Sequence, residues 1–440
     1  MKRFFYIFVA TFALMATFSS CDQQDSRSSI LKVYNWADYI DEELLGEFEV
    51  WYKEQTGEDV EIVYQLFDIN EIMLAKIERG KEDFDVACPS EYIIERMLKN
   101  DLLLPINKDF GDTPNYLGNV SPYIHDVFNK IDGNGKNAND YAVGYMWGTT
   151  GLLYNKKYVD PSEVESWRAL WQPKFKQKLF VKDAFRDVYS PLLIYANQDR
   201  INRGEVTMEK LMYDSSDESI ATVETLLKKT KPNVAGWEAD FGKEMMTKEK
   251  AILNLTWSGD AVWAIEEAAE VGVELDYTVP KEGSIVWFDG WVIPKYAKNV
   301  KAASYFINFM CMSENAIRNM DEIGYVSVIG TPEVMDYMSE SAVEAGLEDP
   351  LDLSYFFGEE GSDVVINPVM YPDREVIERC AMMHDSGPRT AALLEMWSRV
   401  KGDNLNSGMV IFILVFFACL IAVGVVRKVK RRRRQYRKRW

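Results

Sequence analysis

The chain has 440 residues and a formal net charge of −19, so it is long enough for more than one domain and its surface is acidic. An acidic body repels nucleic acid, which argues against a nucleic-acid partner, although a solvated surface that only maintains solubility explains the same charge. The two histidines, His125 and His384, and cysteines without metal-site or disulfide spacing argue against histidine-based catalysis and a multi-histidine metal site. We therefore expect neither a metal nor a cofactor.

Residues 1–21 resemble a bacterial secretory signal. Lys2 and Arg3 precede a short apolar run, and the run ends at Phe18-Ser19-Ser20-Cys21. This last segment is similar to a lipobox, which predicts lipidation at Cys21. Ordinary signal cleavage beside an incidental cysteine is the alternative.

Strand and helix patterns alternate after the signal. Asp41 is suited to begin a helix whose apolar residues recur on one face, and short apolar runs on either side of that helix are typical of strands. Such alternation predicts a largely parallel α/β sheet, in which ligands bind beyond the carboxyl ends of the strands. The predicted elements are strands at 31–35, 61–64 and 84–88 and a helix at 71–79.

Two later segments, 255–260 and 286–291, share an unusual composition. Each places a tryptophan two or three residues from an aspartate, beside a glycine. An aromatic face attracts a cation and a carboxylate pairs with its charge, so this combination suits an organic ammonium group. The segments predict a binder of cationic ligands.

The C-terminal end predicts a membrane attachment. Residues 405–426 contain no charged side chain and are long enough to cross a bilayer as a helix, although a buried core helix is the alternative. Residues 427–440 carry ten Lys or Arg and no acid, which predicts a basic cytoplasmic tail. We expect a protein anchored in the inner (cytoplasmic) membrane, with its binding domain in the periplasm or outside the cell.

Several short motifs, in order along the chain, carry a family resemblance. From about Leu31 to about Gly402 the chain resembles the bacterial periplasmic spermidine/putrescine-binding proteins, the solute receptors of polyamine ABC transporters. Each motif is weak alone, and their shared order is specific. The motifs are Tyr34-Asn35-Trp36-Ala37-Asp38-Tyr39, Pro89-Ser90-Glu91-Tyr92, Tyr145-Met146-Trp147-Gly148-Thr149-Thr150, Trp257-Ser258-Gly259-Asp260, Pro280-Lys281-Glu282-Gly283, Trp287-Phe288-Asp289 and Ile323-Gly324-Tyr325.

The resemblance implies an α/β, two-lobed periplasmic binding protein fold of type II, to which this chain adds the C-terminal transmembrane helix. One lobe would take residues 31–147 and 289–334, and the other residues 148–288 and 335–402. A polyamine would bind in the cleft between the lobes and pass to the permease subunits of an ABC transporter, without any enzymatic step.

The same resemblance implies a set of ligand-binding residues. Carboxylates would pair the ammonium groups, aromatic rings would cover the methylenes, and one serine would add a hydroxyl contact. One acidic family position falls on Ala184 here, and a family glutamine falls near Met383 or His384. The candidates are the carboxylates Asp38, Asp187, Asp260 and Asp289, the rings Trp36, Tyr39, Tyr92, Trp257, Trp287 and Tyr325, and the hydroxyl of Ser90.

Other functions stay open. Paired acids also serve glycoside hydrolysis, but these acids are dispersed and most have an aromatic neighbour. A membrane-anchored sensor of polyamines and a receptor for another organic cation are the closer alternatives. The choice between putrescine and spermidine is undecided, because Asp260 resembles the putrescine-preferring members and Trp287 the spermidine-preferring ones.

Overall fold

The computed structural model describes residues 27–239 and 241–402. The chain divides into two compact units, Met1–Pro388 and Arg389–Trp440. The described part of the second unit is essentially one helix. The predicted signal with Cys21, the predicted span at 405–426 and the basic tail at 427–440 lie outside the described residues. Within the described ranges, no helix is both long and apolar enough to cross a membrane.

The strands of the first unit range in length from two residues to the 14 residues of the longest one. They are β1 Ile30–Trp36, β2 Glu61–Phe67, β3 Val86–Ala87, β4 Leu103–Leu104, β5 Asp132–Gly133, β6 Lys136–Asn137, β7 Ala142–Asn155, β8 Leu179–Lys182, β9 Val234–Glu238, β10 Leu253–Trp257, β11 Leu275–Thr278, β12 Ser284–Pro294, β13 Val326–Ser327, β14 Pro350–Leu351, β15 Val364–Val365 and β16 Cys380–Met382.

The α-helices lie between these strands and after them. They are α1 Glu43–Thr56, α2 Asn70–Glu78, α3 Glu91–Lys99, α4 Pro122–Phe128, α5 Ala138–Tyr141, α6 Pro161–Val164, α7 Phe185–Ala196, α8 Gln198–Asn202, α9 Met208–Met212, α10 Asp217–Thr230, α11 Gly242–Thr247, α12 Ser258–Glu270, α13 Val300–Met310, α14 Ser313–Ile323, α15 Pro332–Glu344, α16 Ser354–Phe357, α17 Arg374–Glu378 and, in the second unit, α18 Thr390–Gly402.

The early elements confirm the predicted alternation. The Asp41 carboxylate accepts a hydrogen bond of 3.0 Å from the Glu43 backbone N–H and so caps the start of α1. Leu44 and Phe48 of α1 are fully buried, as their spacing on one helix face requires. The third predicted strand is shorter than expected, since only Val86 and Ala87 pair as a strand.

Two long strands, β7 and β12, join two parts of the sheet. Every residue of both strands is buried, which matches their nearly continuous apolar sequence. β7 pairs with β12 from Ala142 to Thr149 and with β10 from Thr150 to Tyr154. The chain therefore forms two lobes around shared central strands, and the strand order is β2-β1-β3-β12-β7-β10-β8-β9.

The expectation of a largely parallel sheet is right only for the flanks. β1 is parallel to β2 and to β3, and β8 is parallel to β9 and to β10. The central pairs of β7 with β12 and of β7 with β10 are antiparallel. The early sequence shows only the flanking strands, whereas the antiparallel centre forms between strands that are distant along the chain.

Candidate ligand-binding site

Most of the candidate residues lie where strands end, and all but Asp38 and Trp36 are linked to another candidate by a hydrogen bond, a ring contact or a shared partner. Trp36 ends β1, Ser90 follows β3, and Trp257 ends β10. Asp187 lies in the first turn of α7, shortly after the end of β8. Asp289 lies within β12, where the register shifts between Asp289 and Gly290.

Asp289 is the first of the buried carboxylates in this region. Its Oδ1 accepts a hydrogen bond of 2.6 Å from the Ser90 hydroxyl, and its Oδ2 accepts one of 2.8 Å from the Tyr39 hydroxyl. Asp289 is only 7% exposed. Both donors are uncharged, so they solvate the carboxylate without neutralising it. We call Asp289, Ser90, Tyr39 and the rings of Trp287 and Tyr325 the Asp289 site.

Burial raises the pKa of Asp289 to about 7. The hydrogen bonds from Ser90 and Tyr39 oppose this rise, and the negative charge of Asp187 adds to it. A carboxylate with such a pKa is incompletely compensated in the ligand-free protein. A bound cation would favour its ionised form.

Aromatic rings pack beside Tyr39, which donates to Asp289, and at the end of β1. The Tyr325 ring lies 5.2 Å from the Tyr39 ring in an edge-to-face arrangement and 5.7 Å from the Trp287 ring. The indole N–H of Trp36 donates to the Cys88 carbonyl at 2.9 Å, which fixes that ring at the end of β1. The indole Nε1 of Trp287 is buried and has no hydrogen-bond partner among the described residues.

Asp187 is a second buried carboxylate, and it accepts a hydrogen bond of 2.8 Å from the indole N–H of Trp257. Burial raises the pKa of Asp187 to about 6, against the effects of that hydrogen bond and of the nearby positive charges of Lys182 and Arg186. Within residues 27–239 and 241–402, neither Asp187 nor Asp289 forms an ion pair. The region therefore offers two buried carboxylates to a cationic ligand.

Asp260 differs from these two carboxylates because it already has two cationic partners, Lys182 and, at 3.8 Å from Oδ1, Lys243. Its Oδ1 accepts a hydrogen bond of 2.8 Å from the Tyr325 hydroxyl, and its Oδ2 is in contact with the Lys182 ammonium. The same ammonium lies 4.3 Å from the centre of the Trp257 ring. The predicted combination of a tryptophan face and an aspartate is present, and a lysine of the protein occupies it.

Tyr92 is likewise covered by a cation of the protein. The Arg186 guanidinium carbon lies 4.3 Å from the centre of the Tyr92 ring, and Arg186 Nε lies 3.7 Å from Glu71. Asn70 donates from one amide nitrogen to the hydroxyls of both Ser90 and Tyr92, at 2.9 Å each. Asn70 thereby connects Tyr92 to the Asp289 site.

Asp38 is not brought into this group. Its side chain is exposed, and its backbone has a φ of 49°, in the left-handed region. Among the described residues, no hydrogen bond joins Asp38 to the other candidates. The predicted role of Asp38 stays a prediction.

The structure also locates the two positions at which this chain departs from the family pattern, Ala184 and the Met383–His384 pair. Ala184 lies at the start of α7, and its methyl side chain cannot replace the carboxylate that the family has at this position. His384 is buried, with Nδ1 3.2 Å from Glu95 and its ring stacked on Tyr213 at 3.9 Å. Within the described residues, no group of three or more His, Cys, Asp or Glu side chains is arranged to hold a metal ion.

Sequence reasoning missed Lys182, Arg186 and Asn70. A signal for the first two was available, because both basic residues flank the very segment that carries Asp187. Their contacts with Trp257 and Tyr92 could not be inferred, because these partners lie 75 and 94 positions away along the chain.

Comparison with known proteins agrees with this architecture. The family of bacterial extracellular solute-binding proteins matches residues 50–342. The spermidine/putrescine-binding periplasmic protein of Escherichia coli (strain K12) is 28% identical over 406 residues, which cover 91% of this chain and 99% of that protein. The putrescine-binding periplasmic protein PotF of the same organism is 27% identical over 355 residues, covering 78% of this chain and 88% of that protein.

A solved structure extends the comparison to three dimensions. The spermidine/putrescine ABC transporter substrate-binding protein PotD from Streptococcus pneumoniae has a TM-score of 0.61 and 28% sequence identity, and the match covers 85% of this chain and 98% of that one. The fold is therefore the α/β, two-lobed periplasmic binding protein fold, as the resemblance predicted. The chain belongs to the bacterial extracellular solute-binding proteins. Membership in this family makes the chain a solute-binding protein.

Proposed function

We propose that this chain is an extracytoplasmic receptor that captures polyamines, of the spermidine and putrescine class, and delivers them to an ABC transporter permease. The observation that carries the proposal is Asp289, a buried carboxylate whose hydrogen-bond donors among the described residues are the uncharged hydroxyls of Ser90 and Tyr39. The names of the E. coli and S. pneumoniae relatives support the same ligand class.

An ammonium group complements this arrangement. It would supply the positive charge that Asp289 lacks, and the rings of Trp287 and Tyr325 would contact the adjoining methylenes. Each cation–ring contact contributes roughly 0.5–2 kcal/mol, depending on how far the cation is desolvated. A neutral or anionic solute would leave the Asp289 charge uncompensated, which is costly in a buried site.

Ligand entry requires the two lobes to move apart. Asp289 and Asp260 are 7% and 3% exposed, so a ligand that contacts both carboxylates needs more access than this arrangement gives. We propose that the lobes comprise residues 31–147 with 289–334 and 148–288 with 335–402, and that they close on the ligand by hinge bending.

Attachment to the membrane is a further part of the proposal. The uncharged run at 405–426 and the basic tail at 427–440 favour a helix across the inner membrane, with the tail in the cytoplasm. Lipidation at Cys21 would add a second attachment on the outer side. Both would keep the receptor close to the permease and raise its effective concentration there.

Calorimetric titration of the full chain in non-ionic detergent tests the proposal. Putrescine, spermidine and spermine are titrated separately, with arginine and choline as other organic cations and glutamate as an anionic control. Heat of binding with at least one polyamine, and none with glutamate, is the expected result. If choline or arginine binds and no polyamine does, the ligand is another organic cation and not a polyamine. If only glutamate binds, the ligand is not a cation.

A further inference from the structure

We infer that the ligand of this chain is a short diamine rather than a triamine or tetraamine, because Lys182 and Arg186 already fill two cation positions beside the Asp289 site. The inference rests on the proposed function and narrows its ligand class. It also assigns Lys182 as the residue that determines ligand length.

Lys182 has the contacts that a ligand ammonium would make. Its ammonium contacts Asp260, lies 3.3 Å from Glu238 Oε2, and donates to the Ala239 carbonyl at 2.5 Å. It also lies over the Trp257 ring at 4.3 Å. Lys182 is 0% exposed, so this cation is a buried part of the protein.

Arg186 fills a second position in the same way. Its guanidinium covers the Tyr92 ring, and its Nη1 donates to the Ser386 hydroxyl at 3.0 Å. Arg186 is 6% exposed. Trp257 and Tyr92 are two of the predicted ligand-binding rings. Each ring face is therefore in contact with a cation of the protein.

Contacts connect these positions to the Asp289 site. Tyr39 donates to Asp289, its ring packs against Tyr325, and Tyr325 donates to Asp260. Trp257 then lies between the Lys182 ammonium on its face and Asp187 on its indole N–H. Three carboxylates thus belong to one connected region, and only Asp289 and Asp187 are without an ion pair among the described residues.

A third ligand ammonium would have to displace Lys182. The lysine is held at Asp260 by the fold itself, so it competes as an intramolecular group with a high effective concentration. A third ammonium that did not reach Asp260 would be desolvated without a carboxylate partner, which is unfavourable. Two ammonium groups can be paired, one at Asp289 and one at Asp187.

The test compares putrescine with spermidine, titrated into the full-length protein in detergent. We expect the wild-type protein to bind putrescine at least about tenfold more tightly than spermidine. The variant Lys182→Met removes the ammonium and retains most of the apolar stem. Its affinity for spermidine should rise by about tenfold or more, because Asp260 then keeps only the longer contact with Lys243, at 3.8 Å, and the third ligand ammonium can pair with it.

Lys229→Met is the matched control, because Lys229 also lies over a tryptophan, at 5.3 Å from the Trp171 ring, and does so outside this region. It should leave the ratio of the two affinities unchanged. If Lys182→Met does not fold, the variant Lys182→Met with Glu238→Gln compensates for the lost charge and still leaves Asp260 for the ligand.

The outcomes separate this inference from the proposed function. If the wild-type protein binds neither polyamine, the proposed function fails. If it binds spermidine as tightly as putrescine or more tightly, the ligand class stands and the diamine inference is overturned. If Lys182→Met folds and the ratio of affinities does not change, Lys182 does not determine ligand length.

Discussion

The Ser90 hydroxyl donates a hydrogen bond of 2.6 Å to Asp289 Oδ1, and the backbones of the same two residues form an isolated antiparallel bridge. These residues are 199 positions apart, so the bond joins the segment after β3 to the centre of β12. Side-chain and backbone contacts together hold the Asp289 carboxylate in one orientation. A rigidly held acceptor loses little entropy when a ligand binds, which favours affinity.

Replacing Asp289 with asparagine should weaken polyamine binding by about 30-fold or more, because loss of one partner of a buried charge pair costs about 2–5 kcal/mol. Calorimetric titration measures the change. Asp59→Asn is the control, since Asp59 is exposed and pairs with Lys53 at the surface. Equal affinities for wild type and Asp289→Asn would remove Asp289 from the ligand contacts.

Binding should release a proton at mildly acidic pH. The pKa of Asp289 is raised to about 7 without ligand, and a cationic ligand favours the ionised carboxylate. Through Asp289 alone, affinity should therefore fall about tenfold between pH 8 and pH 6, with nearly one proton released by this carboxyl per ligand at pH 6. Pairing of a ligand ammonium with Asp187, whose pKa is about 6, adds to both effects. Titrations in buffers of different ionisation enthalpy count the protons, and a binding enthalpy independent of the buffer at pH 6 would contradict this prediction.

The same shift has a consequence for stability. The pKa of Asp289 is higher in the folded protein than the value near 4 of an unfolded chain, so the folded state binds this proton more tightly. The contribution of Asp289 to the free energy of unfolding without ligand should thus decrease as the pH rises from about 4 to about 7. With saturating putrescine, the free energy of unfolding should fall less over this pH range. Thermal unfolding at several pH values measures the difference.

Replacing Gly259 with alanine should displace Tyr325. A Cβ atom at position 259 would lie 2.4 Å from the Tyr325 ring, closer than any real contact allows. The ring would have to move, and the hydrogen bond from Tyr325 to Asp260 would be lost with it. We expect a decrease in the free energy of unfolding of about 1–3 kcal/mol and weaker ligand binding.

Gly46→Ala is the control for this change, because a Cβ atom at Gly46 in α1 would meet no atom within 4 Å. Alanine is favoured over glycine within a helix by about 0.5–1 kcal/mol, so this variant should be as stable as wild type or more stable. If denaturant unfolding gives Gly259→Ala the same stability as wild type, the close packing of Tyr325 on Gly259 is wrong.

Membrane attachment can be tested by removing both predicted anchors. Deleting residues 405–440 and replacing Cys21 with serine should release the protein from membranes in soluble form, because no apolar segment or lipid would then hold it. Fractionation by centrifugation measures the release. Each single change should leave the protein in the membrane fraction, and a doubly changed protein that still sediments with membranes would refute both anchors.

The sequence by itself determined the fold class and most of the Asp289 site. The strand and helix patterns near the N-terminus are local, and β1, α1 and β2 form where they are predicted. The composition of segment 286–291 points to Trp287 and Asp289, and the family resemblance adds Tyr39 and Ser90, because each motif keeps its residues together within a few positions. The antiparallel pairing of β7 with β12 was not predicted, since it depends on contacts between strands more than 100 residues apart.

Only the tertiary structure decided which of the predicted carboxylates are available to a ligand. The segment with Trp257 and Asp260 indicated a cation, and the cation turned out to be the protein's own Lys182. That result depends on the end of β8 lying beside the end of β10, a parallel pairing of strands about 70 residues apart. A sequence motif specifies which charges a site requires, whereas the packing of distant strands decides whether the protein or its ligand supplies them.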